Sequence, residues 1–401
     1  MSRKNTFFFV VYGLIMSLFI GLISFVFLLL QSSLTEALWE TIPNELVLNR
    51  WYFLVMCLVG GLVVGLVRKK WGNLPVTAHR TLTQLKEHRT LDYRLIWHSL
   101  GIALIILSFG AGVGPEAALL SGVISLSVWQ SDKLRYYYFN QKQLSRLTRK
   151  ERLLRMLNPR DYLQKYDPVL APNKGRLLTK KWLFNIVFII NGVGAFSLLM
   201  TATSQPSFVS KMGESVVDWQ DIWLILPLLL VGMFFSRLYD KLSEGLEYRL
   251  HRLFPSVMIR ALFGSVVIFS VSQWYPNLLF SGQNSMSLLA SMGRKETVGT
   301  LLLLAMIKLL FLNLCLHTGW VGGDIFPVVF SSMIIGFAVA GLLPQFDPLF
   351  VVAVTGVSLA VSVLKSPILV GLFMMLFFPL NLAPVIGLTA LSYVAVGKII
   401  K

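Results

Sequence analysis

The 401-residue chain is poor in the residue types that most site chemistry needs. It has two cysteines, five histidines and nineteen acidic residues, and only 14% of the chain is charged. Cys57 and Cys315 both lie in apolar stretches, which excludes a disulfide framework, a Cys-x-x-Cys redox pair and a thiolate zinc site. The histidines at 79, 88, 98, 251 and 317 show no ligand spacing, and no His-Glu-x-x-His motif is present. With no nucleophile–base pair, metal cluster or nucleotide-binding loop, the sequence points away from an enzyme, and no cofactor is expected.

What the chain has instead is apolar length, with 55% hydrophobic residues. About 17–25 apolar residues span a bilayer as a helix. Long or nearly long enough runs occupy 6–31, 51–67, 95–110, 114–130, 182–203, 219–236, 256–274, 299–316, 325–343 and 348–364. A last block, 366–398, is divided by Pro379 and Pro384 and reads as two helices. These dozen or so segments describe an all-α polytopic membrane protein with tilted and broken helices. The first run is too long for a signal peptide and ends in no small-x-small cleavage pattern, so it reads as a retained helix. One membrane domain is expected over 1–401, with halves at about 1–203 and 219–401.

The net charge of +17 is concentrated. Residues 133–181 hold fourteen Lys/Arg against Glu151, Asp161 and Asp167, and loop 68–94 holds seven basic residues, whereas loop 32–50 has only Arg50. Basic loops stay cytoplasmic, which places the N-terminus, 68–94 and the basic insert 131–181 inside and 32–50 outside, in a plasma membrane. No recognition motif accompanies the charge, so nucleic acid is not an expected partner. Leu144, Leu147, Leu153, Leu154 and Leu157, set among Arg and Lys, suggest an amphipathic helix on the inner membrane face, broken at Asn158-Pro159 and Ala171-Pro172-Asn173. Anionic lipid headgroups are a reasonable contact for this segment.

Two glycine-rich breaks interrupt the apolar sequence: Gly110-Ala-Gly-Val-Gly-Pro-Glu116 and Gly319-Trp-Val-Gly-Gly-Asp-Ile-Phe-Pro327. Unwound backbone at membrane depth is tolerated where it is buried in protein or lines a cavity. A helix that starts there aims unpaired N–H groups and a positive dipole end into that cavity, which suits an anion. Paired breaks in two parts of a membrane chain also point to a transport site. A weaker break is Trp71-Gly72-Asn73-Leu74-Pro75.

In order and spacing these three loops resemble those of the CLC chloride channels and chloride/proton exchangers. The resemblance covers about 45–130 and 219–398, including Lys365-Ser-Pro367, and it implies a CLC-like inverted repeat, a homodimer with one pore per subunit, and chloride as the transported ion. It places anion-binding backbone at Gly72, Asn73, Leu74, Gly112, Val113, Gly114, Gly323, Asp324, Ile325 and Phe326. Departures are clear. Val113 stands where the family has a gating glutamate, and the nearby acid, Glu116, follows the proline. Glu116 is therefore expected to be a first-turn acid that favours the helix dipole, with a displaced gate as the other reading. Gly72 replaces a chloride-binding serine. The family's chloride-binding tyrosine has no evident counterpart, Tyr393 reading as a packing residue. The span 182–203 has no acid where a proton relay would be expected.

Asp324 is expected to turn from the ion and cap nearby N–H groups. Lys308 is expected to snorkel or to pair, with Asp324 as one partner, and His317 also lies in or near a span. The functional reading is a membrane anion pathway with passive, channel-like conduction. The alternatives are a proton-coupled chloride or fluoride antiporter using Glu116 or Asp324, and a non-conducting membrane sensor or scaffold.

Overall fold

The computed structural model describes residues 3–72, 74–76, 78–167, 169, 176–203 and 209–399. Seventeen α-helices follow in chain order among these residues. They are α1 (Arg3–Glu36), α2 (Ile42–Glu45), α3 (Arg50–Trp71), α4 (Ala78–His88), α5 (Ile96–Ser108) and α6 (Glu116–Phe139). Then come α7 (Gln141–Ser145), α8 (Arg149–Leu157), α9 (Arg176–Ala202), α10 (Ile225–Leu253), α11 (Val257–Trp274) and α12 (Met286–Lys295). The last five are α13 (Val298–Thr318), α14 (Ile325–Leu342), α15 (Pro348–Leu364), α16 (Pro367–Met375) and α17 (Ala383–Ile399).

Local chemistry sets the helix ends. Asn49 caps α3 by accepting from Trp51 N–H, and Arg68, Lys69 and Lys70 sit in its last turn, where cations offset the dipole. Asp347 caps α15 by accepting from Phe350 N–H, with Pro348 in the first turn, and Lys365 ends it in a left-handed conformation before Pro367 opens α16. Among the described residues, seven helical stretches are long and apolar enough to cross a membrane: Asn5–Glu45, Arg50–Trp71, Lys181–Ala202, Trp219–Leu253, Val257–Trp274, Val298–Thr318 and Ile325–Leu342. The shorter apolar runs at 95–110 and 348–364 fall on α5 and α15, and the block at 366–398 divides into α16 and α17 as its prolines suggest.

The helices form two compact units that follow packing rather than chain order: 1–33, 75–101 and 118–206 in one, and 34–74, 102–117 and 207–401 in the other. In the first unit α9 crosses α1 closely enough that a Cβ on Gly21 would lie 2.4 Å from the Gly192 carbonyl. Asn191 seals the crossing by donating to Leu14 O at 2.9 Å and Ser17 Oγ at 2.8 Å. Small residues and interhelical hydrogen bonds are what lipid leaves available to drive such packing.

The basic insert departs from the expected single amphipathic helix. Thr148 and Glu151 form a capping box that starts α8 afresh, so α7 and α8 are separate. Leu144 is buried on α7, while Leu153, Leu154 and Leu157 of α8 are exposed. The break at Asn158 ends α8 as expected, and that at 171–173 lies outside the described residues.

In the second unit α14 and α15 are buried along almost their whole length. Helices apolar all round belong in a protein interior. α15 packs against α14, α10 and α17, and α3 packs against α11. Ser358 of α15 donates to Leu229 O of α10 at 2.6 Å. This buried frame presents the start of α14, next to the end of α13, to the first glycine break.

Candidate anion site

The two main glycine breaks, more than 200 residues apart in sequence, meet within the second unit. Gly114 and Gly323 form an antiparallel bridge in which each N–H donates to the other's carbonyl at 2.8 Å. Gly112 N–H donates to the buried Cys315 Sγ at 3.3 Å. Val113 is 1% exposed and packs on Gly322, where an added Cβ would lie 2.4 Å from Val113 Cγ2. Buried backbone polar groups must be paired, and here they pair with each other. The N–H groups of Gly112, Gly114 and Gly323 are thus engaged by protein and are not turned to an ion in this conformation.

Trp320 within the second break, and two residues outside it, hold the break in place. Trp320, fully buried, donates through Nε1 to Ala261 O of α11 at 2.9 Å. Arg68, at the end of α3, donates to Gly319 O at 3.0 Å. Cys315, one turn before the end of α13, accepts from both directions of the fold: its thiol takes Gly112 N–H, and its carbonyl takes Trp320 N–H at 2.9 Å. Sequence reading assigns these three residues no part in the site: Cys315 reads as a cysteine in an apolar stretch, Arg68 as a loop cation and Trp320 as a member of the break. The only signal was their position, immediately around a break or on a neighbouring helix end.

Glu116 is the first residue of α6, as expected of a first-turn acid, and its carboxylate also reaches a second helix. Oε1 accepts from Phe326 N–H, in the first turn of α14, at 3.0 Å. The amide of Ile325 lies close to the same carboxylate. Oε2 is out of solvent and has no hydrogen-bond partner, although the residue as a whole is only half-buried. The carboxyl group is wedged between the breaks: a Cβ on Gly114 would lie 1.8 Å from Oε2, and one on Gly323 would lie 2.3 Å from Cδ. With the carboxylate in this position, neither glycine can carry a side chain unless Glu116 moves. A carboxyl oxygen therefore already sits on the positive end of α14, the place where an N-terminus favours negative charge.

Asp324 corrects an expectation: it is exposed, and its side chain makes no capping hydrogen bond to α14. Its backbone, at φ −107° and ψ −11°, lies outside the extended region from which a capping side chain reaches back to N2 or N3. Glu116 takes that role from another helix. Lys308 neither snorkels nor pairs with Asp324. It is fully buried, donates to Leu278 O at 2.8 Å and to Phe280 O, and so pins the 276–280 loop to α13. His317 Nε2 is hydrogen-bonded with Ser243 Oγ at 3.0 Å. Tyr393 bonds Ser362 Oγ at 3.3 Å, a packing contact between α17 and α15. A different tyrosine, Tyr239 on α10, is buried within electrostatic reach of Asp324 and Asn313; its place midway along an apolar helix gave no sequence signal.

In the third loop, Gly72 ends α3 with φ +74°, a conformation that favours glycine. Its N–H returns to Arg68 O at 2.9 Å, and Leu74 N–H bonds Gly72 O at 2.9 Å, so the described turn is closed on itself. Asn73 lies outside the described residues.

With this geometry the comparisons converge. A family model described as voltage gated chloride channel matches residues 180–397, more than half of the chain. Among solved structures, the chain is similar to a CLC-type fluoride/proton antiporter at 16% identity and TM-score 0.61, covering 98% of this chain and 95% of that one. It is similar to a slow cyanobacterial Cl−/H+ antiporter at 15% identity and TM-score 0.66, covering 97% and 93%. A eukaryotic CLC transporter matches at 13% identity and TM-score 0.60, covering 98% and 72%. No curated protein sequence matches the chain. At these identities the structural likeness is one of fold, while the family model reaches the sequence itself. The chain is a multi-pass α-helical membrane protein and belongs to the voltage-gated chloride channel, or CLC, family.

Proposed function

We propose that this chain carries chloride or a similar small anion past the N-terminus of α14, with Glu116 as a carboxylate gate that exchanges places with the ion. Membership of the family makes it an anion transport protein of the membrane rather than an enzyme, with the anion as cargo and no cofactor. The observation that carries the gate is the bond from Phe326 N–H to Glu116 Oε1 at 3.0 Å. An incoming anion needs the amides that this carboxylate holds. Amides of Asp324, Ile325 and Phe326, backed by the α14 dipole, would replace part of its water. A neutral, protonated Glu116 competes less well for an N–H donor than a charged one, so acidification favours release and links anion passage to a proton. Both antiporters named above share the fold, which makes proton-coupled exchange the mode best supported.

Passive conduction is the second reading, favoured by the acid-free span 182–203, which offers no onward carboxylate for a proton. In the proposed setting the chain is a homodimer in the plasma membrane, with its N-terminus and the loops 68–94 and 131–181 in the cytoplasm. The test is chloride efflux from liposomes holding the purified protein, measured across pH. Wild-type efflux rises on acidification, and Glu116→Gln is fast and flat with pH. A wild-type profile retained in Glu116→Gln would remove Glu116 from the gate.

A further inference from the structure

One exposed surface in the first unit has no role in the anion path. α8 presents Leu153, Leu154 and Leu157 to the outside, each about 60% exposed. At 100° per residue these three fall within an arc of about 100°. Exposed Arg149 and Lys150 lie one turn back on the same face, and exposed Lys142 and Arg146 precede them. The opposite face is tied down. Arg152 Nε donates to Leu144 O at 2.9 Å, and Arg155 lies 5.1 Å over the Tyr162 ring.

The height of this helix is set by α1. Tyr12 donates to Met156 O at 2.7 Å, and Asn5 Nδ2 donates to Gln141 Oε1 at 3.1 Å. α1 begins the first membrane-crossing stretch, whose apolar run starts at Phe7. Tyr12 is five residues into that run, about 8 Å along the axis, and its side chain slants back towards the helix start. α8 therefore lies level with the first turn or two of a membrane helix. Interfacial helices sink their apolar face about 5–10 Å into the boundary between headgroups and acyl chains. Tyr138 and Phe139, exposed at the end of α6 close to α7 in sequence, add the aromatic residues favoured at that depth.

We propose that α8 lies in the leaflet faced by the N-terminus of α1 and is a docking surface for anionic phospholipid. The leucines enter the acyl boundary, and Lys142, Arg146, Arg149 and Lys150 meet headgroup phosphates. Charge complementarity and attachment to a membrane helix favour lipid over a soluble partner.

The full-length chain provides the test. Cys57 and Cys315 are buried, at 0% and 1% exposed, so a thiol introduced by Leu157→Cys is the accessible site for an environment-sensitive fluorophore. In nanodiscs rich in phosphatidylglycerol the emission should shift to the blue, be quenched by shallow spin-labelled lipid, and be shielded from aqueous iodide. In phosphatidylcholine discs the shielding should weaken. Arg149→Gln and Lys150→Gln together should lower the preference for the anionic disc, about fivefold for each side chain at low salt and less as salt rises. A label open to iodide in both discs would overturn the proposal. So would equal shielding in both lipids, or shielding that instead accompanies cross-linking of residue 157 between two copies.

Discussion

Alanine at Gly323 is the sharpest perturbation this site allows. The new methyl carbon would lie 2.3 Å from Glu116 Cδ and 2.4 Å from Oε1, whereas carbon atoms in contact sit about 3.5–4.0 Å apart. One group must move by more than an ångström. The backbone of Gly323 is fixed by its paired bonds to Gly114, and Glu116 meets it with the far end of a flexible side chain. The carboxylate is therefore expelled and its 3.0 Å bond to Phe326 N–H is lost. A hydrogen bond to a charged group contributes about 1.5–3 kcal/mol, equal to roughly 10- to 150-fold in an equilibrium. If that bond competes with the anion, Gly323→Ala should raise apparent chloride affinity by up to this factor and flatten the pH dependence of flux. Glu116→Ala should do the same, and the double variant should gain nothing more, because one competitor is removed only once. Titration calorimetry and liposome flux on the four proteins complete the cycle. Additive effects of the two substitutions would refute the reasoning.

Valine at Gly114 should instead abolish flux while the protein still purifies as an assembled species by size-exclusion chromatography. It brings a branched side chain to a position where a Cβ alone meets Glu116 Oε2 at 1.8 Å, and it strains the backbone pair with Gly323. Lys308→Met should lower thermal stability in detergent by about 1–3 kcal/mol, since it leaves the carbonyls of Leu278 and Phe280 without their donor; an unchanged melting curve would show that the lysine is dispensable. Labelling of Lys150→Cys in intact cells should require a membrane-permeant reagent, and ready labelling by an impermeant one would reverse the topology.

Much of the fold could be read from the chain because lipid simplifies the rules. Apolar length marked the helices, and Gly and Pro marked their ends, as at Lys365-Ser-Pro367, where α15 stops and α16 starts. The breaks at 110–116 and 319–327 were visible for the same reason. Their meeting was not, since the Gly114–Gly323 bond pair joins backbone, and backbone leaves no side-chain signature. Glu116 was legible as a first-turn acid, with a displaced gate as the other reading, but first-turn position describes only an acid's own helix. Its reach depends on which foreign helix start lies opposite, here α14. Lys308 shows the same limit. An ionisable residue in a span advertises a cost, but its partners were two carbonyls near residue 280, which no charge pattern could reveal.

The central claim is that Glu116 and the transported anion compete for the start of α14. Its most direct test is an inward proton gradient imposed across liposomes that hold the purified protein at equal chloride inside and out, with the membrane potential clamped. The account predicts net chloride movement in wild type with no chloride gradient to drive it, opposite in direction to the protons, and none in Glu116→Gln despite fast passive flux in that variant. Wild-type protein that conducts chloride while leaving the two gradients uncoupled would contradict it.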